Sequence, residues 1–395
     1  MLNVTVEQIR NFRLRSHHLD RWYDRLDAAV VVGGCGIQNS PPGSWQLALA
    51  NRIKDCSPQW MRRQLEEERT LLQAWSIRGV PLVFPTTESD VFLTALIAAE
   101  GERWIYTNGA DLALAELGMD LEEVLALVTA VIPRLDEVVI ESKNNLDAQV
   151  AGWVEPLLNE GQRVIWNHPS MYDARGEQRL GQALISFLLR PCSCKALVVF
   201  GKRNRDSPTF TSYRTWVGHD IESRFDCGAL LVKKFLHCYG PATRRHFNMW
   251  LGSSPAQAAR LWQEGESEME MVKVGSQTRF MLSEDVLSLT CSEDLLRKTH
   301  LLSAHDPYLG LQDRQTICSE VRRQRVIWRT VANPGAILSD GEVVGFWKSK
   351  KREDFVDVEL SLWDGHHLEH DTAEALALHH AGVRGCRLGE LSITQ

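Results

Sequence analysis

Three basic stretches, one close pair of cysteines and three pairs of adjacent histidines are the residues here whose spacing could do chemistry. The first stretch carries Arg190, Lys195, Lys202, Arg203, Arg205 and Arg214. The second carries Arg322, Arg323, Arg325 and Arg329, and the third Lys348, Lys350, Lys351 and Arg352. Clustered cations suit a polyanion; their alternative reading is a solvated face. Acidic residues gather elsewhere, at Glu66-Glu67-Glu68 and Glu264–Glu270, so one positive face is compatible with the net charge of −7. Cys192-Ser-Cys194 is tighter than the usual spacing of zinc ligands, which favours two ordinary thiols. His17-His18, His366-His367 and His379-His380 sit mostly among polar residues and read as surface or capping groups. No Walker A or Gly-x-Gly-x-x-Gly pattern occurs. Neither a metal nor a cofactor is expected.

The chain that must position these residues has 395 residues, 44% apolar and 24% charged, with 27 Gly and 14 Pro. That composition excludes a disordered, collagen-like or coiled-coil protein and suggests two to four domains. The longest apolar runs, such as Ala28–Val32 and Ala196–Phe200, are too short to span a bilayer. Met1–Arg15 has no signal-peptide core, and nine cysteines without a CxxC pair fit a reducing compartment. A cytoplasmic location is expected, without a membrane partner.

The first third reads as helices at Val6–Ser16, Arg25–Val32, Trp45–Ile53 (capped by Ser44), Pro58–Glu67 (capped by Ser57) and Leu71–Ile77. A break falls at Gly33-Gly34-Cys35-Gly36. A strand at Val80–Phe84 and a helix at Glu88–Ala99 follow. The middle has helices at Leu121–Arg134, Asp147–Leu158 and Glu177–Leu189. After Pro191 come strands Ala196–Phe200 and Thr209–Tyr213, joined by the basic tip Gly201–Pro208. A third unit has helices at Cys227–Tyr239, Arg244–Leu251 (capped by Thr243) and Pro255–Trp262 (capped by Ser253 or Ser254). It closes with a hairpin of Met271–Val274 and Thr278–Leu282. Helices followed by a small hairpin, three times, are the order of tandem winged helices. The last quarter has strand-like runs at Val326–Thr330, Ala336–Ser339, Val343–Lys348 and Val356–Trp363, an Asp340-Gly341 hairpin signal, and a helix at Ala373–Ala381. The expected fold is α+β and mainly helical. It has three winged-helix domains (1–110, 111–218 and 219–300) and a C-terminal β-barrel-like domain (301–395). Winged helices read duplex DNA with a recognition helix and contact phosphates with basic wing tips; they also serve as protein-interaction modules.

Five short motifs in one order add to this reading. They are Cys35-Gly-Ile-Gln-Asn-Ser40; Trp75-Ser-Ile-Arg-Gly79 running into Val83-Phe-Pro85; Tyr239-Gly-Pro-Ala-Thr243 with Trp250; His305-Asp-Pro-Tyr-Leu309 with Asp313-Arg314; and Asn333-Pro-Gly through Asp340-Gly-Glu-Val-Val-Gly-Phe-Trp347. Through them the chain resembles the winged-helix family of AlkZ-type and YcaQ-type bacterial DNA glycosylases, over almost its whole length. The resemblance implies a C-shaped molecule with duplex DNA in its channel. It also implies excision of alkylated purines, including cross-linked ones, without a cofactor. The family's catalytic Gln-x-Gln or Gln-x-Asp falls on Gln38-Asn39-Ser40, so Gln38 matches and Ser40 departs. Asn39, or Gln46 one helix later, could supply the missing amide. The family's Arg-Gly-Thr-x-His stretch falls on Arg78 and its neighbours, with Leu82 nearest the histidine.

An N7- or N3-alkylated purine is cationic and leaves readily. The remaining work is to place a water and stabilise an oxocarbenium-like sugar. A glutamine carbonyl does both without titrating near neutrality. A serine hydroxyl orients water but stabilises charge less, so activity limited to unstable cationic adducts, or lost, is expected. The alternative for Gln38 is a capping residue in a Gly-rich turn. Ser40, before Pro41-Pro42, is held extended. Arg78, Lys202, Arg203, Arg205 and Arg314 are the candidate DNA contacts, Arg314 being equally readable as a structural ion pair with Asp313. Trp45, Trp75, Trp216, Trp250 and Trp347 read as core. The expected protein is a monomeric, nucleoid-associated glycosylase acting on double-stranded DNA with alkylated bases. The competing readings are a non-enzymatic DNA binder or regulator on the same scaffold, and a protein-interaction module.

Overall fold

A computed structural model describes residues 1–290 and 299–394. The chain is α+β, about 48% helical. Its described strands form four sheets: three of three strands and one of five.

Where caps and stops are strong, helices stand where the sequence places them. Val6–Ser16 opens with a reciprocal Thr5/Gln8 capping box. Ser57 accepts from the Trp60 N–H with Pro58 at the first helical position. Cys227–Tyr239 stops at Gly240-Pro241, and Thr243 and Ser254 cap the next two helices, Arg244–Leu251 and Pro255–Glu264.

Several expectations fail for physical reasons. Leu71–Trp75 is a strand, not a helix; it pairs antiparallel with Pro81–Pro85 and is buried throughout. An apolar run buried on both faces has no period to separate strand from helix. Gly43, at φ +92°, is the N-cap of Ser44–Ala50, and Ser44 instead donates its hydroxyl to the Gln38 carbonyl at 2.8 Å. Leu180–Cys194 continues as helix through Pro191, near the helix end. The strand after it is only Val199–Phe200. Glu88–Ala99 yields one turn, Ser89–Phe92, and a 3₁₀ turn. Val321–Ile327 is helical where Val326–Thr330 reads as a strand.

Long-range pairing completes the sheets. Leu2–Val4 lies parallel to Met269–Val274, which forms a hairpin with Gln277–Leu282. Ile140–Glu141 and Val199–Phe200 flank Thr209–Thr211. The five-stranded sheet runs Thr299–Leu302, Gly335–Ser339, Glu342–Arg352, Phe355–Leu362, Arg387–Thr394. Its first three junctions are antiparallel and its last is parallel. Asp340 and Gly341, both at positive φ, make the expected tight turn. No pairing joins the outer strands among the described residues, so an open sheet replaces the expected barrel.

Ile37–Gln38 is the hinge of this architecture. It pairs antiparallel with Val83 and Leu82 at the edge of the first small sheet. Cys35 belongs to the largest apolar cluster, whereas Ile37 belongs to the cluster shared with Ile337, Val344 and Trp347 of the five-stranded sheet. Burying Ile37 contributes on the order of 2 kcal/mol, which wedges the segment between two cores.

Candidate active site

The segment after helix Ala28–Gly33 passes beneath Leu82 and Phe92. A Cβ on Gly36 would stand 2.5 Å from Leu82 Cδ2, and its φ is +70°, so glycine is required there. Strand alternation then sends successive side chains to opposite sides. Ile37 enters a core, Gln38 faces one cavity, and Asn39 faces another.

The Gln38 cavity is about 130 Å³. The Gln38 amide is 8% exposed and set by two contacts: Arg78 Nη2 donates to its Oε1 at 3.4 Å, and its Nε2 donates to the Ser40 carbonyl at 3.2 Å. Arg78 stands in a tight turn at φ 59°. A non-glycine residue there carries about 1 kcal/mol of strain. Gly252, capping the helix Arg244–Leu251, packs so closely that a Cβ would sit 3.0 Å from Arg78 Cα. A chain segment more than 170 positions away thus holds the arginine in place.

Tyr239, Trp250, Leu309 and Trp328 give the cavity flat apolar walls. Among the described residues its only lining carboxylate, Asp306, is spent: Arg52 engages it through two bonds of 2.8 and 2.9 Å, and the Tyr308 N–H adds a third of 3.0 Å. Burial, and then the charge of Arg78, hold His305 below its ordinary pKa, so it is neutral at pH 7. Arg314 lies 4.9 Å over the Trp328 ring, with its Nε buried and without a partner. Asn333 Oδ1 is likewise buried and unpartnered. Among the described residues the cavity therefore offers amide carbonyls, guanidinium donors, aromatic walls and the neutral His305 imidazole, and its one carboxylate is not free to act as a base.

Gln38, Arg78 and Arg314 are brought together here, although 276 positions separate the outer two. Arg314 is not paired with Asp313, whose carboxylate binds Arg13 and Arg279 instead. Burial would raise the Asp313 pKa, but those two guanidinium groups hold it down. Asn39 does not reach the Gln38 cavity. Its Nδ2 donates to Gln73 Oε1 at 3.0 Å and its Oδ1 accepts the Gly43 N–H at 2.8 Å, so both ends of the amide are used. Ser40 contributes only its carbonyl to Gln38, and neither it nor Gln46 lines that cavity.

Asn39 and Gln46 line a second cavity, of about 260 Å³, into which Arg203, Arg205, Arg62, Lys351 and Arg384 converge. Arg203 is tied there by its N–H to Glu66 Oε1 at 3.3 Å and by a guanidinium bond to the Asp206 carbonyl. Lys202 is exposed and lines neither cavity.

His305, Asn333, Tyr239 and Trp328 escaped sequence reasoning as cavity residues. The first three lie inside the family-like motifs, but nothing in their spacing tells which motif meets which. Trp45, Trp75, Trp250 and Trp347 are buried as expected, while Trp216 is half-buried beneath Arg69 at 4.4 Å. The surface reading fails for two histidine pairs. His17 and His380 are buried, and burial pushes His18 down to about 3 and His380 to about 4. Cys192 and Cys194 are free core thiols, pushed up to about 12 by burial.

Comparison with known proteins places the chain in a family. A family model described as "DNA glycosylase AlkZ-like" matches residues 33–384, beginning at the glycine break. An "Interstrand DNA cross-link repair glycosylase" from Streptomyces sahachiroi is 25% identical over 364 residues, covering 89% of this chain and 90% of that one. The solved structure of Streptomyces sahachiroi DNA glycosylase AlkZ superposes with a TM-score of 0.74 at 20% identity, covering 99% of this chain and all of that one. No helix among the described residues is long and apolar enough to cross a membrane.

Proposed function

The chain belongs to the AlkZ-like DNA glycosylase family, and from that premise we propose that it hydrolyses the N-glycosidic bond of cationic N7- or N3-alkylated purines in duplex DNA, interstrand cross-links included. The observation that carries this reading is the Gln38 carbonyl, aimed into an aromatic-walled cavity whose only lining carboxylate is consumed by Arg52. Such a site suits a leaving group that needs no strong acid and a water that needs only orientation.

In the proposed reaction the C1′–N bond breaks and its electron pair neutralises the cationic purine. The water oxygen bonds C1′ and releases its proton to solvent. Gln38 Oε1 has two lone pairs. Arg78 takes one, leaving the other to accept from the water. Asn333 Oδ1, buried and unpartnered in the same cavity, takes the role of the second carbonyl in place of Ser40. Trp250 and Trp328 offer faces against which a flipped purine can pack.

Three helix-and-hairpin units are read as winged helices on which the duplex lies. Arg203 and Arg205 contact phosphates through the second cavity, and Lys202 does so from the exposed tip beside them. Arg314, with its free Nε, faces the extruded nucleotide. No cofactor enters this mechanism, and the protein is read as a monomer in the nucleoid.

The test is a duplex with a single N7-alkylguanine, cleaved in hot alkali to reveal abasic sites. Wild type should produce them, Gln38→Ala should not, and Asn333→Ala should be slowed at least tenfold. Excision undiminished in Gln38→Ala removes that residue from the chemistry. No abasic sites from wild type on any cationic adduct would favour a non-catalytic damage binder.

A further inference from the structure

Beside the Gln38 cavity, which Cys35 itself lines, three buried side chains from three distant segments meet. His17 ends the helix Val6–Ser16, Cys35 lies three residues before Gln38, and Cys238 is in the helix Cys227–Tyr239. Their donor atoms all lie within 4.8 Å of one another. We infer that His17, Cys35 and Cys238 form a binding site for a thiophilic divalent ion of the zinc type, which ties the catalytic loop to the third unit.

The three groups lack better partners. His17 is 4% exposed, and its Nε2 is buried without a hydrogen bond. An unsatisfied imidazole nitrogen in an apolar setting is costly, and a metal removes that cost. Tyr239 and Tyr308 rings wall the imidazole edge-on at 4.9 and 5.5 Å, which fixes its plane. Outside the cluster, Cys238 Sγ donates to the Ser16 carbonyl at 3.9 Å, and Cys35 Sγ meets the Tyr239 hydroxyl at 3.6 Å. The first of these is long even for sulfur.

Two thiolates and one imidazole are a donor set that zinc prefers, leaving a fourth position for water or the Tyr239 hydroxyl. Tetrahedral donors stand roughly 3.5–3.8 Å apart, so the cluster would contract by about 1 Å. Binding displaces both thiol protons to solvent and involves no change of oxidation state. The charges then balance: two thiolates offset the ion, and the neighbouring Arg52 is already offset by Asp306. Among the described residues no other group of three such donors occurs.

The site would bear directly on where Gln38 stands, because only Gly36 and Ile37 separate Cys35 from it. Its existence is nevertheless independent of the proposed reaction, and the test reads metal rather than excision. The full-length protein, stripped of metal and kept reduced, is titrated with Co²⁺. The expected result is one equivalent per chain with a thiolate-to-cobalt charge-transfer band, displaced by Zn²⁺. Cys238→Ser should abolish the band and His17→Ala should weaken binding, while Cys192→Ser should leave it intact. Should a cluster variant fail to fold, native mass spectrometry of the wild type decides: one zinc gained with two protons lost supports the site. A wild-type chain without charge-transfer absorption at saturating Co²⁺ overturns it. So does a band that survives in folded Cys238→Ser, or a Cys35–Cys238 disulfide in protein isolated under reductant.

Discussion

The strand Ile37–Gln38 and the residue after it, Asn39, face two unlike cavities, and in the proposed function one serves chemistry and the other recognition. On the Gln38 face the cavity is small, aromatic-walled and furnished with neutral carbonyls. On the Asn39 face it is twice as large, and five cations converge against two carboxylates, Glu66 and Asp206. Neighbouring amides therefore do unlike work. Gln38 keeps a carbonyl available, while Asn39 spends both ends of its amide on Gln73 and Gly43. The difference teaches that a duplex can be gripped by charge on one side of a single strand while its base is handled on the other. Phosphate contacts position and base contacts specify, and the proposed function would set them a residue apart.

The largest effect should come from Gln38→Ala. Loss of one preorganised polar group at a reacting centre costs about 10²–10³-fold in rate, and single-turnover excision would measure it. Stability should barely change, since the contacts of Gln38 are long. Asn39→Ala should do the reverse. It strands buried Gln73 and the Gly43 N–H and should lower unfolding free energy by about 1–3 kcal/mol in denaturant melts, with single-turnover excision near wild type. If Asn39→Ala abolished excision in folded protein, the division of faces would collapse.

Charge removal sharpens the comparison further. Arg203→Ala with Arg205→Ala should weaken binding to damaged and undamaged duplex alike. It should also reduce the salt slope of log affinity by about 0.9 for each phosphate no longer neutralised. Weakening confined to damaged duplex would put these arginines on the wrong face.

The pH profile gives a subtler reading. Gln38 and Asn333 do not titrate, and burial with Arg78 holds His305 down. Excision of a permanently cationic adduct should then be flat above pH 6.5, and a rising limb near neutrality would reveal a titrating base. Stability behaves differently. His18 and His380 titrate near 3 and 4 when folded but near 6.5 when unfolded. Between those values the unfolded chain binds more protons, so stability falls as pH drops below 6.5. Thermal melts from pH 7 to 4 would show it, and His380→Gln should flatten the decline. The smallest effect belongs to Ser40→Ala. Its side chain lines neither cavity, so stability should stay within about 0.5 kcal/mol and excision near wild type.

Much of the local structure was legible. Ser57, Thr243 and Ser254 announce their helices because a side-chain oxygen within three residues must satisfy a bare N–H. Gly240-Pro241 ends a helix and Asp340-Gly341 turns a hairpin for equally local reasons. Gln38 was legible through its motif, but its partners were not. Arg78 was named without its bond to Gln38, and Asn333 was not named as a site residue at all. Among the misread elements was Leu71–Trp75, where burial on both faces erased the alternation that marks a strand.

By itself, then, the sequence determined caps, stops, tight turns and the order of motifs along the chain, all of them set by contacts a few residues apart. Only the tertiary structure decided which way each side chain of the Gln38 strand points. It alone joined Leu2–Val4 to Met269–Val274 and left the last sheet open. It also brought Gln38, Arg78, His305, Arg314 and Asn333 around one space. The physical reason is that strand pairing and cavity closure depend on which distant apolar surfaces bury each other, and no local pattern records that choice.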